Sequence, residues 1–206
     1  AAPQPKAGIA ATEPARDATS CRVTTISLTT NASNVTAGNA PTLSGVARDS
    51  RGDAVEGATI TVYTKGYGES AYTAAATVKT DGAGQYKISV RPMKQTSIGA
   101  NVGDAKSRVI NIRVNTRVNI ASPAPGAASR RQTFSGNLAP GYARVAVGLA
   151  YVANGRFIVI AQANTDGAGR YAITASLPRG TYPFVVFTSA HQGTDKGSRS
   201  VQLTVR

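Results

Sequence analysis

The 206-residue sequence contains one histidine, His191, and one cysteine, Cys21, so imidazole and thiol chemistry rest on two side chains. A serine triad would have to run through His191. That residue stands in the Gly-containing stretch His191-Gln192-Gly193-Thr194-Asp195, and no Gly-x-Ser-x-Gly elbow occurs to present a nucleophile. His191 therefore reads as a loop residue. Glycoside hydrolysis asks for two carboxyl groups across one bond, and from residue 116 onward only Asp166 and Asp195 are available. One Cys and one His do not make a four-ligand zinc site. The expectation is a chain with no catalytic residue, no metal and no cofactor.

The residues suited to binding are different. Residues 22–115 carry eleven Lys and Arg against six Asp and Glu, and residues 116–206 carry ten against two, nine of the ten being Arg. Guanidinium groups make bidentate contacts with phosphate, sulfate and carboxylate. Arg130, Arg131, Arg144, Arg156 and Arg170 are thus candidate anion-binding residues, for a cell-wall polymer, an acidic polysaccharide or nucleic acid; the other reading is that they serve solubility. Arg51-Gly52-Asp53 is the tripeptide that integrins recognise at a loop tip, and it is equally an ordinary turn. Cys21 has no partner within the chain, so it is either a free thiol or a bridge to another chain. Asn31-Ala32-Ser33 and Asn34-Val35-Thr36 have the pattern of glycosylation sequons and also suit turns.

These groups need a scaffold, and an internal repeat supplies its outline. Thr80-Asp81-Gly82-Ala83-Gly84-Gln85-Tyr86 recurs as Thr165-Asp166-Gly167-Ala168-Gly169-Arg170-Tyr171, identical at six of seven positions and offset by 85. Upstream, Thr42-Leu43-Ser44-Gly45 matches Thr133-Phe134-Ser135-Gly136 at an offset of 91, and downstream Ser107-Arg108 matches Ser198-Arg199 at the same offset. The difference implies extra length in the first repeat before the Asp-Gly turn and in the second after it, around Pro178–Phe187. In each Asp-Gly element the carboxylate can bond amides two residues on and glycine permits positive φ, which predicts a hairpin turn delivering a core Tyr rather than a Ca²⁺ loop.

Period-two alternation marks the strands. Ile60 and Val62, Tyr86 and Ile88, Ile110 and Ile112, Val145 and Val147, Ile173, and Val201 and Leu203 fall on one face each and form the predicted cores. Asn154-Gly155 between Val145–Tyr151 and Phe157–Ile160 is a hairpin signal. The prediction is an all-β chain of two tandem immunoglobulin-like antiparallel sandwiches. An extended arm spans residues 1–21, the first sandwich 22–115 and the second 116–206, with a short link near Asn115–Arg117 that leaves little freedom between them.

Leu43 to Ala58 followed by the Asp-Gly-Tyr element, and Tyr151 to Ala161 ahead of the second such element, resemble bacterial Ig-like repeats of the carboxypeptidase-regulatory-like and CnaB-like kind, as in actinobacterial exported and surface proteins. One departure is that the second repeat has no Glu and a single Lys, Lys196, so the Lys–Asn isopeptide lock of CnaB-type domains is not expected. The resemblance implies an extracellular or cell-surface protein, non-catalytic, that is structural or adhesive and engages itself or other surface proteins. The arm and Cys21 would then support assembly into a fibre or layer. Polyanion binding through the second repeat and service as an accessory domain of an exported hydrolase are the alternatives. No apolar run approaches the length of a membrane span, and Ala1-Ala2-Pro3 reads as the start of a processed product.

Overall fold

The computed structural model describes residues 22–206; the arm and Cys21 lie outside the described residues. Within them regular structure is all strand, and no helix is long and apolar enough to cross a membrane. The first half forms β1 (Thr25–Ile26), β2 (Thr29–Thr30), β3 (Asn34–Thr36), β4 (Thr42–Arg48), β5 (Thr59–Gly66), β6 (Thr73–Lys79), β7 (Gln85–Ser89), β8 (Thr96–Val102), β9 (Ala105–Lys106) and β10 (Ile110–Asn115). The second forms β11 (Arg117–Ser122), β12 (Gly126–Ala128), β13 (Arg131–Ala139), β14 (Ala146–Ala153), β15 (Arg156–Asn164), β16 (Arg170–Ser176), β17 (Gly180–Thr188) and β18 (Gly197–Val205).

The two halves share one topology. In the first, β4 pairs with β1, β2 and β7, and faces a sheet ordered β3-β10-β8-β5-β6. In the second, β11-β13-β16 faces β12-β18-β17-β14-β15. In both, the chain begins in one sheet and crosses to the other, where β3 and β12 run parallel to the last strands β10 and β18. Every other ladder is antiparallel, which is the arrangement of an immunoglobulin-like sandwich.

Alternation explains why the sheets close on each other. Ile60 and Val62 of β5, Ile98 of β8 and Ile112 and Val114 of β10 point inward against Leu43, Ala47 and Tyr86 of the opposite sheet, and all are buried. Val147, Leu149, Phe184, Val186 and Leu203 meet Phe134, Leu138, Tyr171 and Ile173 in the same way. Each such Val, Leu, Ile or Phe side chain contributes about 1.5–3 kcal/mol on leaving water. Ile88 and Ile110, expected in the core, are only partly buried and pack against its edge.

Tyr86 and Tyr171 occupy equivalent places, each 3% exposed. Tyr86 stands opposite Gly45 and Tyr171 opposite Gly136 across the β4–β7 and β13–β16 ladders. Each ring crosses its glycine, and the hydroxyl donates to the strand beyond, Tyr86 to the Ser27 carbonyl at 2.5 Å and Tyr171 to the Asn119 carbonyl at 2.7 Å. A β-carbon on Gly45 or Gly136 would run into that carbonyl and the phenol.

The extra length of the second repeat falls elsewhere than expected. Seventeen residues separate Phe184 from its partner Val201, against twelve between Ile98 and its partner Ile110, so the excess is mostly in the β17–β18 loop rather than around Pro178–Phe187. Two prolines give that stretch the look of a loop, yet Pro183 is taken into β17 opposite Gln202.

Candidate functional site

The Asp-Gly elements are turns whose carboxylates are occupied. Asp81 Oδ1 accepts the amides of Ala83 and Gln85 at 3.0 and 2.8 Å, and Asp166 Oδ1 those of Ala168 and Arg170, both at 2.9 Å. The amides of Arg170 and Ala168 hold the Asp166 carboxyl below the usual carboxylate range. Only the second glycine of each turn, Gly84 or Gly169, takes positive φ, at 70° and 74°. The leading threonine has a use that spacing did not reveal. Thr80 and Thr165 are buried and bridge to the loop before the next sheet, donating to Val55 and Tyr142 carbonyls and accepting the amides of Ala58 and Val145.

Arg51, Gly52 and Asp53 sit on an exposed turn after β4. Asp49 Oδ1 accepts the amides of Arg51 and Asp53, Arg48 donates to the Gly52 carbonyl, and Gly52 has φ +88°. Since β10 runs parallel to β5 and antiparallel to β8, it starts at the end where this turn lies and finishes at the other, where the second half begins. The tripeptide thus marks the end of the first sandwich remote from the junction.

The five candidate anion-binding arginines are exposed and do not share one face. Arg131, beside Ser176, and the adjoining Arg130 lie at one end of β13, and Arg170, beside Asn137, lies at the other. Arg144 (φ 60°) precedes β14 and bonds through its amide to the Thr165 carbonyl, at the Arg170 end. Arg156 follows the Asn154-Gly155 turn at the opposite end of that sheet; both turn residues have positive φ, as a tight hairpin demands.

His191 is folded into the β17–β18 loop. Its Nδ1 lies 2.9 Å from the Ser189 carbonyl, and its ring meets Tyr142 edge-on at 5.8 Å. That loop reaches back onto the first sandwich. A single residue, Thr116, separates β10 from β11. Thr116 is buried, its amide donates to the Asp195 carbonyl, and its hydroxyl is 2.9 Å from Thr194 Oγ1. The Asp195 amide donates to the Val114 carbonyl at 2.7 Å, and the Gln95 amide to the Gly193 carbonyl at 2.6 Å. Arg113 Nε donates to Asp195 Oδ2 at 2.9 Å, which holds the guanidinium more firmly in its charged form, and Arg117 donates to Asn39 Oδ1 at 2.7 Å. The link is short, as the sequence indicated; the loop clamp was hidden because its partners lie some eighty residues away.

No family model matches the sequence, and no curated protein matches it. Solved structures give distant likenesses. The Yersinia pseudotuberculosis adhesin InvE is 14% identical over 86% of this chain and 58% of its own, with a TM-score of 0.39. Invasin, a bacterial integrin-binding protein, is 15% identical over 88% and 39%, with a TM-score of 0.43. Red sea bream transglutaminase is 14% identical over 90% and 32%, with a TM-score of 0.38. The chain spans 32 to 58% of the length of these proteins. Likenesses this distant assign neither a family nor an activity.

Proposed function

We propose that the chain is a non-catalytic interaction module of the bacterial exterior, in which residues 22–115 and 116–206 are separate immunoglobulin-like domains held as a stiff, elongated pair. The observation that carries this reading is the clamp at the junction: a one-residue link, Thr116, braced by the β17–β18 loop through Gly193, Thr194 and Asp195. Two units tied in this way keep a fixed separation between their far ends, which is what a spacer or adhesive stalk requires. The acids of the second half are engaged structurally, Asp166 in its turn and Asp195 with Arg113.

The resemblance to bacterial Ig-like surface repeats supports an extracellular or cell-surface setting and protein partners. Assembly through the arm at residues 1–21, with Cys21 bridging chains, belongs to the same proposal. Two measurements test it. Small-angle scattering should return an elongated particle; a compact globule would refute the stiff pair. Deleting residues 1–20 should lower the assembled mass in solution, and an unchanged mass under oxidising and reducing conditions would remove the arm and Cys21 from the proposal.

A further inference from the structure

Sandwich sheets ordinarily turn a polar face to water, and the larger sheet of the second half departs from this. On β17 the inward residues are Phe184 and Val186, but the outward ones, Val185 and Phe187, are apolar as well. Phe187 rests against Gly148 of β14, where a β-carbon would strike its ring, and meets the Phe157 ring edge-on at 5.1 Å. Phe157 is 51% exposed. This surface floors a cleft of about 710 Å³ that runs to the Thr116 link, within the size range of ligand pockets.

Three cations, Arg117, Lys196 and Arg199, line the cleft, and no acid does. The ion pairs found among the described residues are made by other cations, Arg22, Lys94 and Arg113. Like charges gathered around one cavity repel unless an anion sits between them. An anionic ligand with an apolar face fits both features. A second copy of this chain does not, because its net charge is +13.

We infer that this cleft binds an acidic polysaccharide, with sugar carboxylates on Arg117, Lys196 and Arg199 and the C–H face of a ring on Phe157 and Phe187. The floor residues Val185 and Phe187 lie on β17, which is paired with β14 on one side and β18 on the other along this stretch, so an acidic peptide finds no free edge on that strand to extend. Single-stranded nucleic acid asks for a charged groove that follows its backbone. Here three cations line one cleft while Arg130 and Arg131 lie at the far end of the opposite sheet. The exposed Ser198 hydroxyl on the rim suits a sugar hydroxyl. The inference is independent of the assembly proposed above, since it concerns a site within one chain.

The test is titration calorimetry of the full chain with an oligogalacturonate, its methyl ester, poly-L-glutamate and oligo-dT at low and moderate salt. The oligogalacturonate should bind and the neutral ester should bind weakly or not at all. The pair Lys196→Gln and Arg199→Gln, at exposed positions, should weaken binding by about tenfold or more, the loss expected from removing charge-assisted hydrogen bonds. Phe157→Ala should weaken it too, while Arg130→Gln with Arg131→Gln should leave it unchanged. Thermal melts establish that each variant is folded, and the Lys196 and Arg199 pair decides the matter should Phe157→Ala not fold. The inference is overturned if the acidic oligomer does not bind, if the Arg130 and Arg131 pair causes the same loss, or if polyglutamate or oligo-dT binds as tightly with the same dependence on Phe157.

Discussion

The two crossing tyrosines give the clearest residue-scale prediction. Burial pushes both phenols from an ordinary value of 10.0 up to about 12. The folded state therefore favours the neutral form, and its stabilising contribution is complete below pH 10, then lost as pH rises through about 12. Ultraviolet titration should show Tyr86 and Tyr171 ionising late and together with unfolding; Tyr86→Phe and Tyr171→Phe should each remove one late-titrating group. Titration of these two at the ordinary value would contradict this placement. The Thr-Asp-Gly-Ala-Gly-x-Tyr spacing made the turn and the buried ring legible in the sequence, because Asp and Gly act on neighbours a few residues away. The acceptors, Ser27 and Asn119, were not legible, since they lie 59 and 52 residues upstream and only the folded sheet brings them to the phenol.

At the scale of the element, period-two alternation found the inward faces because burial on one side of a pleated strand imposes it. Ile112 and Leu203, at the centres of the two cores, are 1% and 0% exposed, and truncating either to Ala should cost about 2–5 kcal/mol in denaturant unfolding. A loss near zero would mean that the site collapses without a cavity. Alternation could not find the clamp, because the β17–β18 loop carries no period and its function depends on what it lands on. Gly193 shows this well: it has φ +79°, and a β-carbon there would strike the Tyr67 ring of the first sandwich. Gly193→Ala should leave both cores intact by circular dichroism yet increase the spread of relative orientations of the two halves in residual dipolar couplings. Unchanged couplings would show that the loop is not what fixes the angle. Period two over Val185 and Phe187 predicts that they form the buried face of their strand, but Phe184 and Val186 hold that place, because alternation alone does not choose between two apolar faces.

For the whole molecule, one feature of the topology bears on what happens when the ends of the chain are pulled apart. Tension carried through a sandwich pulls β3 and β10, or β12 and β18, in opposite directions. Those pairs run parallel, with Asn34 to Thr36 against Arg113 to Asn115 and Gly126 to Ala128 against Leu203 to Val205. The hydrogen bonds of each pair lie across the pull and are loaded together, whereas a hairpin peeled from one end breaks one bond at a time. Each pair is thus a shear lock, and its strength under load is set by a register of three residue pairs rather than by overall stability. Single-molecule stretching should show two unfolding peaks whose force falls when Val35→Pro removes an amide from the first lock, even at matched thermal stability. Force unchanged by that substitution would place the mechanical barrier elsewhere in the sheets.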